Sequence, residues 1–104
     1  IVVLFNNNGG HIFDMLPVAE VGDGYEKHFV APHGFRFADA AAQFGLAYAC
    51  PSTANDVIGA YRDAVRQERS SLIEIPIDAR ESFALHRRIL DRVSSLRLST
   101  HSVS

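Results

Sequence analysis

The chain has 104 residues, of which 47% are apolar and 21% charged, with a formal net charge of -2. That apolar content excludes a disordered tail, and the length suits one small domain or a piece of a larger one. The charge leaves no basic footprint for nucleic acid, and no window approaches the run of about 18 apolar residues that spans a bilayer. Cys50 is the single cysteine, which excludes an internal disulfide and offers no zinc-ligand spacing. No basic stretch leads into an apolar run and a cleavage site, so a cytoplasmic protein is the default expectation. The chain opens on Ile1-Val2-Val3-Leu4-Phe5 without an initiator Met, which predicts an excised piece of a longer protein.

Taken in chain order, Ile1 to Phe5 is a continuous apolar, β-branched run and reads as a strand buried on both faces of a parallel sheet. Asn6-Asn7-Asn8-Gly9-Gly10 breaks it with residues that tolerate positive φ, predicting a tight turn at the strand's carboxyl end. A short apolar segment from Ile12 to Leu16 stops at Pro17. Residues 17 to 35, rich in Gly and Pro, read as a long loop, of the kind that is usually functional or disordered, with at most one helical turn around Tyr25 to His28. Phe37, Ala40, Ala41 and Phe44 repeat at helical spacing, and Gly45 stands where a C-terminal cap belongs. Leu46 to Cys50 reads as a short strand. Thr53 and Asp56 have the spacing of a capping box, and Val57, Ala60, Tyr61, Ala64 and Val65 mark one face of the helix it opens. Leu72 to Ile77 is a strand with Pro76 near its end, where a missing donor matters least. Asp78 and Glu81 open a last helix lined by Phe83, Leu85, Ile89, Leu90, Val93 and Leu96, and the polar stretch from Arg97 to Ser104 reads as a flexible tail. The alternation predicts an α/β fold with a partial parallel sheet flanked by helices. Three strands are fewer than a free-standing doubly wound domain carries.

The Asn/Gly segment is the strongest candidate for chemistry. Ligands of open parallel sheets bind beyond the carboxyl ends of the strands. An Asn side-chain oxygen and a free backbone carbonyl there are hard donors of the kind Mg²⁺ prefers, and glycines let backbone approach a diphosphate closely. A plain turn is the alternative for the pentapeptide alone. Other conspicuous residues favour bland readings. His28 and His33 read as loop packing, His86-Arg87-Arg88 as a solvated helix face, and Gly22-Asp23-Gly24 as an ordinary turn. Cys50 reads as a buried inert thiol, and Phe35, Phe37 and Phe44 as core. Asp14 and Glu20 lack any feature that would fix them as an acid/base pair.

Asn-Asn at the end of a buried strand resembles the closing half of the thiamine diphosphate motif, which opens with Gly-Asp-Gly some two dozen residues earlier. The stretch from Asn6 to Pro17 narrows the match. With Tyr25-Glu26-Lys27-His28-Phe29, Pro32-His33-Gly34, Phe37, Ala40-Ala41, Gly45-Leu46-Ala47-Tyr48, Leu72-Ile73-Glu74-Ile75 and Leu85-His86-Arg87-Arg88, it resembles one enzyme family. This is the family of 2-succinyl-5-enolpyruvyl-6-hydroxy-3-cyclohexene-1-carboxylate synthases of menaquinone biosynthesis. The resemblance covers roughly residues 1 to 95.

It implies the C-terminal part of a thiamine diphosphate-binding domain over residues 1–96, with thiamine diphosphate and Mg²⁺ as cofactors. Asn7 would give Mg²⁺ a side-chain oxygen and Gly9 its backbone carbonyl. Gly10, Ile12 and Phe13 would lie against the cofactor. The family decarboxylates 2-oxoglutarate and adds the succinyl carbanion equivalent to isochorismate, with homo-oligomers and the rest of the parent chain as implied partners. The Gly-Asp-Gly half and the third protein ligand to Mg²⁺ are not in this sequence, so the chain alone is expected to be inactive. His11 receives no role. The competing readings are a segment of an acetolactate synthase or 2-oxo acid decarboxylase, and a non-catalytic α/β interaction module.

Overall fold

The computed structural model describes residues 1–96; the expected flexible tail, residues 97–104, lies outside the described residues. Three strands form one sheet: β1 (Val2–Asn6), β2 (Ala47–Ala49) and β3 (Ser71–Pro76). Their order is β1-β3-β2, and both pairings are parallel. The fold is therefore α/β with a small parallel sheet and flanking helices, as the alternation predicts. The register runs from Val2 against Leu72 to Asn6 against Pro76, and from Ala47 against Ser71 to Ala49 against Ile73. β3 occupies the centre, so Ser71 to Glu74 are buried, and Ile73 is the most enclosed large side chain at 1% exposure. Pro76 falls at the strand's last position, where no donor is needed.

The helices begin and end where their local chemistry allows. α2 (Phe37–Gln43) closes with Leu46 N–H on the Ala41 carbonyl (2.8 Å) and Gly45 N–H on the Ala42 carbonyl (3.2 Å). Gly45 takes φ 68° to make that closure, a left-handed conformation that favours glycine. α3 (Ala54–Arg66) starts at Thr53, whose Oγ1 accepts from Asp56 N–H at 3.1 Å. α4 (Ala79–Ser95) starts at Asp78, whose Oδ1 accepts from the Arg80 and Glu81 N–H groups at 2.9 and 3.0 Å.

Residues 17 to 35 differ from the expected loop. Pro17–Val21 is a 3₁₀ helix, Asp23–Tyr25 (α1) is a single α-turn, and Glu26–Val30 continues it as a π-helical turn. Pro17 sits in the first turn, where its missing N–H costs nothing, so it starts a helix here rather than ending order. Gly22, at φ 83°, turns the chain between the 3₁₀ helix and α1. The π-turn closes when Ala31 N–H bonds the Glu26 carbonyl at 2.9 Å.

β1 forms where expected but is not buried on both faces: it is an edge strand of the described sheet, with Val2, Val3 and Phe5 exposed. Several other side chains expected in the core also lie at the surface. Phe35 and Phe44 are exposed, because α2 meets the sheet through Ala41, and Phe37 is half-buried. Cys50 is exposed, since it follows the last residue of the short flanking strand β2. On α3 only Ala64 is buried, with Tyr61 and Val65 exposed; on α4 no residue is buried. Both stripes have helical spacing, but no described element lies opposite most of their length. Packing is concentrated on β3, and replacing Ile73 with Ala should therefore cost about 2–5 kcal/mol. Urea unfolding of the Ile73→Ala variant measures this; an unchanged midpoint would contradict the placement of the core.

Candidate cofactor-binding site

Parallel pairing brings all three strands to one carboxyl edge. The turn after β1, the Cys50-to-Thr53 segment after β2 and the Ile77-Asp78 segment after β3 meet there. Ile77 N–H donates to the Asn6 carbonyl (2.8 Å), fastening the β3–α4 connection to the base of the turn.

The three asparagines do different work. Leu4 is in register with Glu74 and Tyr48 with Leu72, so Asn6, Glu74 and Tyr48 lie diagonally across one face of the sheet. Asn6 Nδ2 donates to Glu74 Oε2 at 2.8 Å, and the Tyr48 hydroxyl donates to Glu74 Oε1 at 2.6 Å. The buried carboxylate thus has a donor on each oxygen. The hydrogen bond to Glu74, followed by partial burial, raises the Tyr48 hydroxyl well above its ordinary range. Asn6 Oδ1 accepts the Asn8 N–H (2.9 Å), which holds Asn8 at φ 57°. Asn8 Oδ1 in turn accepts the Gly34 N–H (2.9 Å), drawing the segment before α2 onto the turn.

Asn7 is held only by its backbone. Its carbonyl accepts from His11 Nε2 at 3.0 Å, and His11 Nδ1 lies 2.8 Å from Asp14 Oδ2. The Tyr25 hydroxyl donates to Asp14 Oδ1. Among the described residues, neither the Asn7 side chain nor the Gly9 carbonyl has a hydrogen-bond partner. Asn7 faces a cavity of about 140 Å³ shared with His11, Ile77, Phe83 and His86, and a wider cleft of about 370 Å³ reaching Asn8, Asp78 and Arg80. Gly9 passes so close to Val30 that an added Cβ would stand 2.6 Å from its carbonyl oxygen. Any side chain there would push the turn off the π-helical segment. Gly10 N–H is already committed to that Val30 carbonyl at 2.8 Å.

The turn itself offers an amide oxygen at Asn7 and a backbone carbonyl at Gly9, and among the described residues no group of three His, Cys, Asp or Glu side chains is placed to hold a metal. That set suits a hard cation that completes its shell with phosphate oxygens and water. Of the other expected site residues, Ile12 is 82% exposed, and the Phe13 and Phe29 rings pack nearly perpendicular with centroids 5.8 Å apart. Asp14 and Glu20 do not pair, since both Asp14 oxygens are taken by His11 and Tyr25. His33 accepts the Phe35 N–H and stacks on that ring, consistent with loop packing, and His86, Arg87 and Arg88 are exposed. The residues that sequence reasoning passes over are Glu74, His11, Asp14 and Tyr25. His11 and Asp14 stand one helical turn apart, a usable signal; Glu74 and Tyr25 join the site only through long-range packing.

No protein-family profile matches the chain. It is 48% identical over 90 residues, 86% of its length, to the 2-succinyl-5-enolpyruvyl-6-hydroxy-3-cyclohexene-1-carboxylate synthase of Rubrobacter xylanophilus. Proteins of the same name from Pelodictyon phaeoclathratiforme and Halobacterium salinarum are 39% and 37% identical over 95 residues, 91% of the chain. The chain matches a segment of this synthase family. It spans 16% of the length of each of these relatives, which are enzymes by name. Among the described residues no helix is long and apolar enough to cross a membrane.

Burial and the hydrogen bond to Asp14 push the Tyr25 hydroxyl up to about 12 from its ordinary 10. Because the folded value is raised, the contribution of this bond is fully present below pH 10 and is lost as pH climbs through about 12. A tyrosinate absorbance titration should show a late transition whose amplitude falls by one tyrosine in Tyr25→Phe, leaving that of Tyr48; an unchanged late amplitude would contradict the assignment.

Proposed function

We propose that the turn after β1 holds the Mg²⁺ and diphosphate of thiamine diphosphate in a synthase of this family. The supporting observation is the division of labour among the asparagines: Asn6 and Asn8 are consumed in fixing the turn, which leaves the Asn7 oxygen and Gly9 carbonyl unpaired at the sheet's carboxyl edge. Mg²⁺ demands near-octahedral oxygen donors and dehydrates reluctantly, so two protein oxygens together with phosphate oxygens and water form a suitable shell. The cation neutralises the diphosphate and ties it to a rigid sheet edge. When bound, thiamine diphosphate supplies the electron sink for decarboxylating a 2-oxo acid. This chain's part is to orient that group: Asn7 and Gly9 toward the cation, with Ile12 and Phe13 as apolar surface beside it.

The reaction that follows from this reading is decarboxylation of 2-oxoglutarate and addition of the succinyl carbanion equivalent to isochorismate, carried out by a longer cytoplasmic, homo-oligomeric protein of which these residues form one wall. The names of the matched relatives favour this reading over an acetolactate synthase, a 2-oxo acid decarboxylase or a non-catalytic module.

In the complete protein, Asn7→Ala should weaken binding of thiamine diphosphate with Mg²⁺ by about 100-fold or more, since even groups that only orient a ligand contribute about 10–100-fold. Calorimetric titration measures the change, and an unaltered dissociation constant removes Asn7 from the metal shell. Product analysis with 2-oxoglutarate and isochorismate tests the reaction itself; a product lacking the joined succinyl unit overturns it. The 104-residue chain alone should bind the cofactor weakly or not at all, and micromolar affinity would contradict that.

A further inference from the structure

We infer that His11, held by Asp14 and through it by Tyr25, is a positioning residue that sets the aim of the Asn7 side chain. The inference rests on the reading of Asn7 as a metal ligand and adds to it the group that holds that ligand in place.

The geometry is a chain of three side chains ending on one backbone atom. Tyr25 is buried and donates to Asp14 Oδ1; Asp14 Oδ2 meets His11 Nδ1 at 2.8 Å; His11 Nε2 donates to the Asn7 carbonyl at 3.0 Å. A carbonyl and a carboxylate both only accept, so these two contacts call on a ring N–H donor at Nε2 and at Nδ1 alike. The imidazole is thereby gripped at both nitrogens, and Tyr25 itself is stacked on Phe29 with centroids 5.7 Å apart. The far end of the chain is anchored in packed structure rather than in solvent.

Position along the turn gives this contact its consequence. β1 ends at Asn6, so the Asn7 carbonyl has no ladder partner; its peptide plane is held at the Asn8 N–H by Asn6 Oδ1 (2.9 Å) and at the carbonyl by His11, so without His11 it would keep one support of two. The neighbouring residues are each fastened by other means: Asn6 by Glu74, Asn8 by Asn6 and Gly34, and Gly10 by Val30. Asn7 is the residue with an unpaired side chain, and His11 supplies the second of the two contacts that fix the peptide plane after it. Rotating that plane would swing the Asn7 side chain, while the Gly10 N–H on the Val30 carbonyl keeps the chain at Gly9 in place, and Mg²⁺ tolerates little departure from octahedral geometry.

The test is a double-mutant cycle in the complete protein, read by calorimetric titration with thiamine diphosphate and Mg²⁺, with thermal unfolding recorded alongside. His11→Leu, which keeps bulk but loses both polar contacts, should weaken binding by about tenfold or more. His11→Gln, whose amide retains a donor for the Asn7 carbonyl, should recover most of that loss. In an Asn7→Ala background the same His11→Leu change should have no further effect, because His11 acts through Asn7; a merely structural role would add in full. Weakening by Asn7→Ala with none from His11→Leu overturns the positioning role and leaves the metal-ligand reading standing. Additive losses, or a His11→Gln variant as weak as His11→Leu, also overturn it. No change from Asn7→Ala overturns both.

Discussion

The Glu74 carboxylate at the centre of the sheet is the constraint on which the candidate site depends. It accepts from Asn6 on β1 and Tyr48 on β2 while sitting on β3, so one buried side chain ties all three strands together. An unpaired buried carboxylate would be costly, which makes the arrangement close to all-or-none: either both donors are in place or the sheet face is destabilised. Glu74 also decides the role of Asn6. With its nitrogen bound to Glu74, Asn6 has its oxygen turned to the Asn8 N–H, and Asn8 is thereby set to receive Gly34. The three-residue polar run becomes a clamp with its middle side chain left over.

That leftover side chain links structure to chemistry. A turn whose polar groups were all satisfied internally would have nothing to offer a cation, and a turn with none satisfied would be too loose to hold one in octahedral geometry. Here two opposite supports converge on the same peptide: the sheet from below through Glu74 and Asn6, and the segment after the turn from the side through Tyr25, Asp14 and His11. The close pass of Gly9 beneath Val30 explains why a glycine stands at that position.

Much of this is legible in the sequence because it rests on local chemistry. The strand character of β1, the caps at Thr53 and Asp78 and the glycine closure of α2 depend on residues within a turn of one another, and each lies where the pattern puts it, although β1 is an exposed edge strand and not buried on both faces. The position of the turn at the carboxyl edge follows from parallel topology alone. What the sequence does not reveal depends on distant partners. Nothing in Asn6-Asn7-Asn8 says which amide is spent, because Glu74 lies 68 residues away along the chain. The segment from Pro17 to Val30 misleads because Gly and Pro here start and join short helices instead of interrupting them. Phe35, Phe44 and Cys50 mislead because apolar character predicts burial only where an opposing surface exists.

The most direct test of the central claim is to locate the cation. Crystals of the complete protein grown with thiamine diphosphate and Mn²⁺ in place of Mg²⁺ would reveal the metal by anomalous scattering. The account predicts a peak about 2.2 Å from both Asn7 Oδ1 and the Gly9 carbonyl oxygen, with Asn6 still on Glu74. A cation bound elsewhere, with the Asn7 side chain turned away from it, would contradict the account.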